Sequence, residues 1–134
     1  MSDVEKIYEL IKKEKEDSVS SVACDVLRAM VILHGSAWQS DLQDTLTGLW
    51  SLSFLTLDRM IDKESLVPEA LKQLNVLGLI QSEKKLRSDL SRQEPVEDEL
   101  HSVKNLRALI VIFGSDHLVE KYRREIMGYG AIGR

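Results

Sequence analysis

The residues best suited by type to do chemistry are cations. Lys84, Lys85, Arg87 and Arg92 fall in one polar stretch, and cations that close together can neutralise an anionic backbone such as a run of phosphates. Glu94, Glu97, Asp98 and Glu99 follow directly and offer the plainer alternative, a solvated hairpin with balanced charge. Lys72 and Asn75 share one outward helical face with Gln73 at its border, so polar readout of a ligand edge is available there. Other chemistries fare worse. The carboxylates are scattered over charged faces and nominate no acid–base pair. His34, His101 and His117 are too far apart to have ligand spacing, so no metal is expected. Cys24 lies inside an apolar helical pattern with no activating neighbour, which fits a small buried side chain. Gly128, Gly130 and Gly133 have the spacing of a dinucleotide loop, but only Arg134 follows, so no helix is expected to receive a pyrophosphate. Neither catalysis nor a cofactor is expected.

The elements that must position these residues are bounded by size. A chain of 134 residues, 43% hydrophobic and 30% charged, suits one domain with a core. The formal charge of −4 is unevenly spread: residues 1–65 sum to −5, 66–92 to +2, 93–100 to −4 and 101–134 to +3. A strongly basic coat is therefore absent, while a local basic surface remains. No apolar run reaches the roughly 18 residues of a membrane span. The mixed charge of Met1–Lys6 and the single cysteine lead to the expectation of a cytoplasmic setting.

Hydrophobic spacing predicts helices over 3–16, with Val4, Ile7, Leu10 and Ile11, and over 19–33, with Gly35 as its stop. A short helix from Ser36 or Ala37 to Leu46 and another from Ser51 to Asp62 are expected next. Ser65 suits an N-cap for a helix over 66–77, with Pro68 in its first turn and Gly78 at its end. A strand over 79–86 turning polar and a long mobile hairpin tip over 87–98 follow; over 99–113, Leu100, Val103, Leu106, Ile110 and Phe113 fit a helical period, but the β-branched run to Phe113 favours a strand from about Arg107. A last helix covers 117–127, where pairing of Glu120 with Arg124 and favourable placement near the helix end account for its basic residues. Trp38 and Trp50 read as packing residues.

Ala70, Leu71, Leu74, Leu77, Gly78, Leu79 and Ile80 stand at the spacing of an amphipathic helix that stops at a glycine and enters a strand with a basic end. This resembles the recognition helix and first wing strand of winged helix-turn-helix proteins. The likeness covers roughly residues 19–113, and the long connection over 47–64 is similar to that of PadR-type regulators. It implies a mainly α fold with a small β-hairpin: an N-terminal helix over 1–17, a winged-helix domain over 18–114, and a C-terminal helix and flexible tail over 115–134. It further implies a DNA-binding transcriptional regulator. Ser65, Glu69, Lys72, Gln73 and Asn75 would approach the duplex, Glu69 as an acceptor for a cytosine amino group, while Lys84, Lys85, Arg87 and Arg92 would grip phosphates. About three wing contacts would give a log–log salt slope near −2.7. A homodimer is the usual form of half-site binders, with Ile7, Leu10 and Ile11 of one copy packing on Leu118, Tyr122 and Ile126 of another. The alternative is a non-catalytic interaction module of the same fold that contacts a protein partner through the apolar segment 49–61 and the terminal helices.

Overall fold

Val22, Val26, Leu27 and Met30 recur on one helical face and are all fully buried, which places their helix at the centre of the molecule. The computed structural model describes residues 1–88 and 94–128. It is mainly helical: α1 (Asp3–Lys13), α2 (Ser18–Ile32), β1 (Ser36–Trp38), α3 (Gln39–Leu52), α4 (Leu57–Ser65), α5 (Val67–Val76), β2 (Ile80–Arg87), β3 (Val96–Val103), α6 (Leu106–Phe113) and α7 (His117–Glu125). Helix α2 packs against α1, α3, α5, α6 and α7. The three strands form an antiparallel sheet in the order β1-β3-β2.

Four expectations are corrected. Residues 36–38 are a strand instead of the start of a helix. Ser36, Ala37 and Trp38 pair with Ser102, His101 and Leu100, and this long-range pairing overrides the local helical pattern. The chain enters it through His34 and Gly35, both at positive φ (62° and 91°), while the Gly35 N–H closes α2 on the Met30 carbonyl at 2.7 Å. No helix runs from Ser51 to Asp62. Helix α3 continues to Leu52, Phe54 turns the chain at φ 57°, and Thr56 caps α4 by accepting from the Arg59 N–H at 3.3 Å.

Ser65 does not cap α5. It is the last residue of α4, and its hydroxyl donates to the Asp62 carbonyl at 2.6 Å. Helix α5 starts with no side-chain cap and relies on Pro68 in its first turn. Finally, the β-branched run over 109–113 is helical. Ala108, Leu109 and Phe113 fall on one face and are buried, and Asn105 caps the helix by accepting from the Ala108 N–H at 3.1 Å. The return strand lies earlier, where β3 pairs with β2 from Ile80↔Val103 to Arg87↔Val96. The hairpin tip is thus confined to 88–95, of which Asp89 to Gln93, and with them Arg92, lie outside the described residues.

Terminal helices share the same core. Ile7 and Leu10 of α1 and Val119 of α7 are buried together with α2 and α6 residues. Helix α7 lies against α3 at Gly48, where a Cβ would come within 2.7 Å of the Tyr122 ring, so the small residue permits the close approach. Beside this contact α2 carries a partly buried ionic network around the buried Asp25. Arg28 meets Asp25 at 2.9 Å and Asp116 at 3.1 Å and also pairs with Glu14, while Asp25 accepts from the Trp50 indole at 2.9 Å and Lys63 at 3.3 Å. The three carboxylates raise the Arg28 pKa against the opposing effect of burial, so its charge is held. Cys24 is buried, and desolvation pushes its thiol up to about 12, which leaves no thiolate near neutral pH.

Candidate nucleic-acid interface

Helix α5 is seated by Ala70, Leu71 and Leu74 and ends where Gly78, at φ 75°, lets the Leu79 N–H reach the Leu74 carbonyl at 3.0 Å. Lys6 of α1 adds a hydrogen bond to the Leu77 carbonyl at 2.8 Å. The chain then passes directly into β2, which fixes α5 beside the hairpin. Its outward side carries Pro68, Glu69, Lys72 and Val76, all exposed, and Val76 is 79% exposed. That surface holds one anion and one cation, so it offers little net attraction to phosphate.

Asn75 is engaged by the fold. Its amide donates to the Leu71 carbonyl at 2.9 Å and the Ser82 hydroxyl at 3.0 Å, and its oxygen accepts from the Ser82 N–H at 3.2 Å. Base readout by Asn75 would break this clamp between α5 and β2. Gln73 is half-buried, and its Oε1 has no hydrogen-bond partner among the described residues. Ser65 is exposed at the end of α4, two residues before α5 begins.

Strand alternation separates the hairpin cations. Lys84 lies on the same face as Ser82 and Ile80, whereas Lys85 and Arg87 lie on the other. Lys84 stands opposite Glu99, and Lys85, opposite Asp98, also pairs with Glu83 at 3.4 Å. Arg87 pairs with Asp98 at 3.1 Å, donates to the Ser40 hydroxyl at 3.1 Å and lies over the Trp38 ring at 5.1 Å. It therefore fastens the hairpin to the N-terminal end of α3, and an exposed pair of lysines is what the described hairpin presents to an anion.

The sequence reading missed His101. Its side chain is fully buried beneath the sheet, where Nδ1 meets the Ser82 hydroxyl at 2.6 Å and Nε2 meets Gln39 Oε1 at 2.5 Å. Gln39 Oε1 can only accept, and Ser82 already accepts from Asn75, so the consistent arrangement is neutral imidazole with its proton on Nε2. The chain Asn75–Ser82–His101–Gln39 links α5, β2, β3 and α3. Correct placement of β3 would have signalled it, because strand alternation sets His101 inward opposite Ser82.

Burial lowers the His101 pKa from its ordinary 6.5, with Glu99 and Asp98 opposing the shift. The unfolded chain therefore binds a proton more readily than the folded one. The resulting stability is present above about pH 6.5 and is lost as pH falls below it. Thermal melts at pH 7.5 and 5.5 are expected to show a lower midpoint in acid, and His101→Gln is expected to shrink that difference. An equal difference in both proteins would refute the assignment.

The residues proposed for self-association are used within the chain. Ile7 and Leu10 are buried in its own core, and Ile11, Leu118 and Tyr122 pack against it. Ile126, half-exposed, borders Gly48 beside Tyr122. Lys121 donates to the Leu52 carbonyl at 3.1 Å and lies 4.7 Å from the Phe54 ring centre, in place of a purely dipolar role. No helix of the described residues is long and apolar enough to cross a membrane. No protein-family model matches the sequence, and no curated protein or solved structure gives a significant match.

Proposed function

We propose that the chain is a winged-helix module that binds duplex DNA weakly, as a transcriptional regulator in a cytoplasmic setting. The observation that carries this reading is the seating of α5. Its apolar side is held by α2, while Glu69 and Lys72 face outward next to a hairpin with two exposed lysines. The order helix, strand, helix, helix, strand, strand from α2 through β3, with α4 inserted before α5, supports the winged-helix reading. Lys84 and Lys85 would contact phosphates and Lys72 would enter the groove, while Arg87 holds the wing in place. A homodimer would have to pair without Ile7 and Leu10, which lie in the chain's own core, while Ile126 is open to a partner.

The cross-strand acids keep the affinity low, in the non-specific range of roughly 10⁻⁴–10⁻⁶ M. Fluorescence anisotropy with a generic labelled duplex near 50 mM salt tests the reading. Saturable binding is expected, with a loss of about tenfold or more when Lys84→Gln and Lys85→Gln are combined. Arg87 is left intact in that variant so that the hairpin anchor survives.

A second reading is favoured by the apolar corner between α3 and α4. Phe54, Leu57 and Ile61 are 85%, 71% and 54% exposed, and α4 has no buried residue. Such residues suit contact with a protein partner. Absence of duplex binding under the same conditions selects this alternative.

A further inference from the structure

At the corner formed by α3 and α4 lies an open cleft of about 520 Å³, a size that admits a small organic ligand. Helix α4, which has no fully buried residue, contributes Lys63 to it. Phe54 and Leu55 give it apolar walls above the nearly buried Trp50, and the α7 residues Leu118 and Lys121 flank the far side. Arg28 and Lys63 line its floor and flank.

The polar groups of this cleft are unequally satisfied. On the acidic side, Asp25 accepts from Arg28, Trp50 and Lys63, and Asp116 accepts from the Leu118 and Val119 N–H groups and from Arg28. Glu14 is paired with Arg28. The basic side keeps donors in reserve. Among the described residues Lys63 uses two of its three N–H groups, on Ser21 at 2.9 Å and Asp25 at 3.3 Å. Among the same residues Lys121 uses one, on the Leu52 carbonyl, and places its charge against Phe54. Arg28 Nη2 makes no hydrogen bond among the described residues. Unused charged donors beside aromatic and aliphatic walls call for an anion on an apolar body.

We propose that this cleft is a binding site for a small organic anion, with an aromatic or branched body against Phe54 and Leu55 and a carboxylate or sulfonate between Lys63 and Lys121. Because Lys63 belongs to α4, which leads directly into α5, the ligand would fasten α4 to α2. None of Lys72, Lys84 and Lys85 lines the cleft, so this site and the duplex reading can fail independently.

The probe is 1-anilinonaphthalene-8-sulfonate, whose fluorescence rises in apolar surroundings, compared with neutral N-phenyl-1-naphthylamine. Saturable one-to-one binding is expected, about tenfold or more weaker for the neutral dye. The same loss is expected in Lys121→Met and in Lys63→Met, each verified by a cooperative melt. In nitrogen–proton correlation spectra the Trp50 indole signal shifts on binding and the Trp38 signal does not. Lys121 is half-exposed, so its variant tests the site even if Lys63→Met folds poorly. Equal affinity for the two dyes, undiminished binding by the Lys121 variant, or no saturable signal would each overturn the proposal.

Discussion

Asp25→Ala is expected to lower the free energy of unfolding by about 3–5 kcal/mol, because it removes a buried carboxylate and leaves its three donors in place. Asp25 is 6% exposed and receives three donors: the Arg28 guanidinium, the Trp50 indole and the Lys63 ammonium. Removing the carboxylate leaves the indole N–H, in a residue 2% exposed, without a partner. It also leaves Arg28 with Glu14 and Asp116 to balance a charge shared until then by a third acid. Domains of this kind are stable by about 5–15 kcal/mol, so the loss is a large fraction of the total. Asp25→Asn keeps an acceptor for the indole and is expected to cost less. Urea unfolding followed by tryptophan fluorescence measures both, and equal stability of Asp25→Ala and the native chain would refute the network's role.

Leu74→Ala is expected to cost about 2–5 kcal/mol, the range for emptying a fully buried leucine site. Leu74 is 0% exposed and sits on the face of α5 that meets α2. Its loss opens a cavity under the helix that the duplex reading depends on, with a fall in melting midpoint on the order of 10 °C. Lys72→Ala, two residues away on the exposed side, is the internal control and is expected to stay within about 0.5 kcal/mol. Comparable effects of the two substitutions would mean that α5 is not oriented as described.

What could be read from the sequence was decided by how local its causes were. Helix α5 and its stop were legible because Ala70, Leu71, Leu74 and Gly78 encode both the buried face and the left-handed end within a dozen residues. Helix α2 was legible for the same reason. The strand β1 was not, because Ser36–Trp38 becomes extended through pairing with residues 100–102, far along the chain. The run Leu109–Phe113 misled because β-branched residues favour strands locally, whereas burial of Ala108, Leu109 and Phe113 at helical spacing decides the outcome. Misplacing that strand hid β3, and with it the inward position of His101 and the acids opposite Lys84 and Lys85. The basic residues of the candidate interface were therefore visible, while their cross-strand neutralisation was not. Arg87 could not be assigned from sequence either, since its partners Trp38, Ser40 and Asp98 come from three other segments.

The salt dependence of duplex affinity tests the central claim most directly, since each phosphate contact contributes about −0.9 to the log–log slope. With Arg87 held by Asp98, the two exposed wing lysines are expected to supply about −1.8 of that slope, and replacing both with glutamine should remove this share. A slope unchanged by the double replacement, or no association with DNA even near 50 mM salt, would contradict the assignment.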